Sequence, residues 1–108
     1  AGHTAFAKAQ KVDDAVVEAV RSRGTIADPK LAALHDFTRA LVTKRGHVEQ
    51  SELERFRAAG YTEDQVYEVI IGISEKTISN FTSISLDLPL DQAFLPFAWE
   101  PEEARIAA

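Results

Sequence analysis

Residues Thr62–Leu86, TEDQVYEVIIGISEKTISNFTSISL, decide the fold. Thr62 suits an N-cap, and Gln65 three residues on completes a capping box. Tyr61 before the cap and Val66 after it stand where a hydrophobic staple closes. Val66, Val69, Ile70, Ile73, Thr77, Phe81 and Ile84 recur at the three-and-four spacing of one helical face. A second series, Tyr67, Ile71, Ser74 and Ile78, leaves the neighbouring face with little charge. A helix apolar over so much of its circumference is expected at the centre of a helical core. Gly72, in mid-helix, costs roughly 1 kcal/mol against alanine. Close approach of another backbone is the expected compensation.

Working back from that stretch, Ser51 and Glu54 read as a second capping box (SELE), with Leu53 and Phe56 as the apolar positions of a short helix and Gly60 as its stop. Asp28-Pro29 is a strong start: Asp28 caps, and Pro29 takes the first helical position, where no N–H is needed. The stripe that follows is Leu31, Leu34, Phe37, Thr38, Leu41 and Val42, closed by Lys44, Arg45 and Gly46. The short connections between these three helices favour neighbouring, antiparallel packing. Asp13 or Asp14 caps a further helix to about Ser22, with Val16, Val17 and Val20 as its stripe and Gly24 at the left-handed C′ position. Ala1–Gln10 puts His3, Phe6, Ala7 and Gln10 on one face, as at the end of a helix too short to be stable alone.

Beyond Leu86 the pattern breaks at Leu88-Pro89-Leu90, and Asp91 can cap one more turn through Phe94. Phe94, Leu95, Phe97 and Trp99 lie between prolines; such a group should pack within the domain or on a partner subunit. Glu100, Glu102 and Glu103 are expected in water. The expectation is an all-α bundle of about five helices in one domain spanning 1–108, with a helical core at 1–94 and an aromatic, then acidic, tail at 95–108.

Net charge is −5, from 17 acidic and 12 basic residues. That balance argues against a nucleic-acid or anionic-membrane surface, which needs clustered positive charge. No apolar run is long enough to span a bilayer, and no secretory signal opens the chain; a cytoplasmic location is expected. The chain has no cysteine, so it carries neither disulfide nor thiol. His3, His35 and His47 have no histidine or carboxylate one helical turn away, so no metal site is expected. The polar cluster from Glu75 to Ser85 reads as a solvated helix end or as interhelical packing. Its functional alternative has Thr77 and Asn80 lining a cavity.

Three stretches in order, AGHTAFAKAQKVD, DPKLAALHDFTRALVTKRGHV and FRAAGYTEDQVYEVIIGISEKTISNFTSISLDLPLDQAF, resemble the alkyl hydroperoxidase D-like family, also called the carboxymuconolactone decarboxylase family. The resemblance implies a thiol-dependent peroxidase. In that branch a C-x-x-C pair is followed, after three residues, by a histidine, which His3 matches. One thiolate attacks the peroxide O–O bond and the second resolves the sulfenic acid to a disulfide, while the histidine moves protons. The second cysteine would fall two positions before Ala1, so the chain is expected to be the C-terminal portion of such a protein; a natural loss of the thiols is the competing expectation. The resemblance further implies a hydroperoxide substrate, no cofactor, and a trimer or hexamer. Its alternatives are a cofactor-free decarboxylase using acid–base groups and a non-catalytic helical oligomerisation module.

Overall fold

The computed structural model describes residues 1–100, and those residues are all-helical. Five α-helices run in chain order: α1 Gly2–Ala9, α2 Asp14–Ser22, α3 Pro29–Thr43, α4 Gln50–Ala58 and α5 Glu63–Ser85. A 3-10 segment, Gln92–Phe97, follows. None of the helices is long and apolar enough to cross a membrane. The described residues group into two compact units: Ala1–Gly24 with residues 88–100, and Thr25–Asp87. The expected solvation of Glu102 and Glu103 falls outside the described residues.

In the Thr25–Asp87 unit the start signals act as read. The Asp28 carboxylate accepts from the N–H groups of Lys30 and Leu31 at 2.8 and 3.0 Å, ahead of Pro29. Thr62 and Gln65 exchange bonds: Thr62 N–H donates to the Gln65 side-chain oxygen Oε1 at 2.8 Å, and Gln65 N–H to the Thr62 hydroxyl at 3.3 Å. The Tyr61 hydroxyl donates to the Lys30 carbonyl at 2.8 Å, which brings the first turn of α3 and the approach to α5 to the same end. Helix α4 runs back between them, so α3 and α5 point the same way. The core is Phe37, Leu41 and Phe56, with Leu34, Leu53, Val66, Val69 and Ile73 packed around it. Phe56 stacks on Phe37 on one side and Tyr61 on the other, at centroid distances of 4.3 and 4.4 Å.

The central place expected for α5 is not what the structure shows: none of its residues is fully buried. The reason is length. Helix α3 has 15 residues and α5 has 23. Starting from the same end, α5 outruns α3 by roughly 12 Å at 1.5 Å per residue. Val66, Val69 and Ile73 meet the core, whereas Ile78, Phe81 and Ile84 lie toward the overhang and are exposed.

The box of α4 is also displaced. Its N-cap is Glu49, whose N–H donates to the Glu52 carboxylate at 2.7 Å, in place of the expected Ser51 and Glu54. Lys44 holds the same carboxylate at 2.8 Å, which anchors it where Glu54 has no such partner. The Lys44 bond, reinforced by the Glu49 N–H, keeps the Glu52 carboxyl below its ordinary range. The charged form therefore favours the fold. This contribution is present at neutral pH and is lost as pH falls through the lowered folded-state pKa. In Lys44→Met the Glu52 pKa, followed by carboxyl-carbon NMR, should rise toward the ordinary range, and the loss of stability in acid should shrink. An unchanged Glu52 titration would remove Lys44 as the cause.

Gly60, with φ 103°, ends α4 as read, whereas other helix ends turn on a non-glycine residue. At α2 the left-handed residue is Arg23 (φ 58°), not Gly24; the Gly24 N–H reaches back to the Ala19 carbonyl at 2.8 Å and the Arg23 N–H to Val20 at 3.4 Å. That is the Schellman closure shifted by one residue. Lys11 and Arg45 close α1 and α3 in the same way.

In the unit containing both ends of the described chain, Asp13 caps α2 by accepting from Ala15 N–H at 2.8 Å. Of the expected stripe only Val17 is buried, and Val20 is exposed. The Arg21 guanidinium donates to the Thr4 hydroxyl at 2.8 Å and to the Phe97 carbonyl at 3.3 Å, tying α1, α2 and the 3-10 segment together. Phe94 packs edge-on to Phe6 at 5.7 Å. The aromatic segment is thus partly housed, through Phe94 and Phe97, while Leu95 and Trp99 stay exposed.

Candidate functional site

An open groove of about 710 Å³ runs along α3 and α5. Its floor is Leu34, Val69 and Ile73 over Phe56, and its far end is bounded by Val42 and Phe81. It exists because the two helices bear on each other only near the Phe56 core.

Most polar groups in the wall are already engaged. The Thr38 hydroxyl donates to the Leu34 carbonyl and the Thr77 hydroxyl to the Ile73 carbonyl, both at 2.7 Å. Gln65 is held by the Thr62 cap and Tyr61 by Lys30. Burial, with the Asp28 charge nearby, pushes the Tyr61 phenol above its ordinary range, so it stays neutral. Among the described residues, the Glu68, Lys76 and Asn80 side chains in this wall make no hydrogen bond or ion pair. Thr77 and Asn80 therefore do line a concavity, as the functional reading of the polar cluster required. The rest of that cluster does not converge. Ser74, Ser79, Thr82 and Ser83 turn their hydroxyls back onto carbonyls of their own helix.

Gly72 also lines the groove, and no atom of another element approaches the place its side chain would fill. The close backbone contact expected there is absent within this chain.

His3 lies on the exposed surface of α1, with no side-chain hydrogen bond or ion pair among the described residues. His35 is half-buried and stands 3.4 Å from its neighbour Asp36; His47 is exposed. Among the described residues no three histidine or carboxylate side chains gather as a metal ligand set. Among the described residues no hydrogen bond joins a side-chain hydroxyl to a histidine or carboxylate.

What the residues do assemble is a bare surface. Tyr67, Ile71, Ile78 and Phe81 on α5 are 61, 65, 70 and 68% exposed. The neighbouring Ser74 and Thr82 hydroxyls are satisfied internally, at 2.8 and 2.7 Å, so this face presents few polar groups that need water. The charge-poor second series was visible in the sequence, but its expected place was inside a helical core, and the structure leaves it exposed. Arg21, whose side chain joins three elements, gave no such signal, because its acceptors lie 17 and 76 residues away.

No family model matches the chain, and no curated protein matches it.

Proposed function

We propose that this chain is a self-associating helical module in which α5 buries its bare face against further copies. One observation supports the reading: the longest helix holds no fully buried residue, and its outer face carries Tyr67, Ile71, Ile78 and Phe81 in a row. Contiguous apolar surface of this kind marks interaction sites. Light scattering and sedimentation velocity on the purified chain should give a multiple of its 11.9 kDa mass. A particle of single-chain mass across the accessible concentration range would rule the module out.

A second reading, the thiol peroxidase implied by the family resemblance, is supported by the order of the three matching stretches and by the position of His3. The 108 residues contain no thiol, so the peroxide step would need cysteines outside them. If a longer product bearing a C-x-x-C consumes hydroperoxide, His3→Ala should slow it about 10²-fold, as for a lost proton-transfer group. An unaltered rate would take His3 out of the mechanism. The decarboxylase alternative predicts instead turnover of a lactone acid with no thiol present.

A further inference from the structure

We infer that the occupant of the α5 face is α5 of a second copy, lying antiparallel across a two-fold axis. This rests on the self-association proposed above and specifies its geometry. Tyr67, Ile71, Ser74, Ile78, Phe81 and Ser85 follow one another at alternating spacings of four and three, and all six are exposed. That alternation is the seam of helices packed at a shallow left-handed angle, with side chains of one set between those of the other. No charged residue interrupts the seam.

Size selects the direction. In an antiparallel register centred on the seam, Tyr67 faces Ser85, Ile71 faces Phe81, and Ser74 faces Ile78. Each serine is then met by a larger side chain, as a filled interface requires. A parallel register sets Tyr67 on Tyr67 and Phe81 on Phe81, crowding two layers. It also sets Ser74 on Ser74 and Ser85 on Ser85, leaving two layers thin.

Charge selects the same direction. Helix α5 has four acidic residues, Glu63, Asp64, Glu68 and Glu75, and one base, Lys76, which lies on the groove side. Arg57 approaches Glu63 at 3.8 Å and offsets part of that charge. Parallel pairing would bring the acidic first turns of two helices together and align their dipoles. Antiparallel pairing sets each acidic turn beside the uncharged stretch Thr82–Leu86 and opposes the dipoles.

A two-fold contact is isologous, so it builds dimers or the dimer contacts of a hexamer, and never a closed trimer by itself. These 108 residues hold no cysteine, so single introduced thiols report cleanly. Tyr67→Cys and Ser85→Cys versions of the 108-residue chain are mixed, re-equilibrated and treated with a short bifunctional maleimide. The antiparallel pair should yield the mixed Tyr67→Cys/Ser85→Cys product. Ser85→Cys alone should give none, because its copies stand about 27 Å apart along the axis. Ser85→Cys cross-linking to itself would overturn the inference in favour of a parallel pair while leaving self-association standing. An oligomer giving neither product would place the interface elsewhere and overturn it too. A monomer by sedimentation overturns both readings. It does so also where an Ile78→Cys thiol resists labelling, because the face is then covered from within the chain. As a second variant, Ile78→Lys should halve the mass of the assembly with helical circular dichroism retained; an unchanged mass would count against the seam.

Discussion

Phe56→Ala should lower the stability of the Thr25–Asp87 unit by about 3–5 kcal/mol, the range for emptying a fully enclosed phenylalanine site. Phe56 is the most enclosed large side chain among the described residues, 1% exposed. It stands between two rings, so its removal takes away both stacking contacts of one aromatic column as well as the buried area. The cavity would open beneath the groove floor and would not collapse easily. Phe37 is fixed on α3, and Tyr61 is pinned by its bond to Lys30 and by the Lys30 ammonium 5.0 Å above its ring. Small domains have only about 5–15 kcal/mol in total. Urea denaturation followed by circular dichroism should therefore show the midpoint fall by a large fraction of its native value. A loss under 1 kcal/mol would mean that the column is not the core.

The same residue type shows where sequence was informative. Phe56 and Phe81 both occupy apolar positions of helical stripes, and the spacing gives no way to rank them. One is enclosed and the other 68% exposed, because burial depends on what reaches the stripe, here the shorter α3. Periodicity identifies the apolar face; it does not say which neighbour covers it. Local chemistry was legible in full where it closes within three or four residues. The caps at Asp28 and Thr62 are of this kind. The α4 cap was misplaced by two residues because the deciding partner, Lys44, lies eight residues from Glu52. The left-handed residues Arg23 and Arg45 escaped for a related reason: Gly24 and Gly46 beside them drew the assignment, and of these two glycines Gly46 is left-handed as well. Of the candidate site, Thr77 and Asn80 were legible as groove residues. His3 was singled out through resemblance, and among the described residues it meets no titratable partner.

That makes the support of α1 the second large effect. Phe94→Ala should release α1, with a loss of about 2 kcal/mol, roughly half the range for a wholly buried phenylalanine, since Phe94 is half-buried. Helix α1 has 8 residues, below the length at which a helix holds itself in water. Its anchors come from elsewhere in the chain: the Phe94 ring against Phe6, the same ring 3.6 Å from where a methyl on Gly2 would sit, and Arg21 on Thr4. Taking away the ring removes the two apolar anchors and leaves one hydrogen bond, worth about 1 kcal/mol, against the entropy of ordering eight residues. Protection of the Phe6–Gln10 amides in hydrogen exchange should drop about 30-fold, the factor that 2 kcal/mol sets when exchange follows local opening. Leu95→Ala, next in sequence but 56% exposed, should leave those amides unchanged. Equal effects of the two substitutions would mean that the segment as a whole, and not the Phe94 ring, holds α1. Loss of protection confined to Phe94→Ala would make the α1 surface that carries His3 conditional on an aromatic contact made some ninety residues later in the chain.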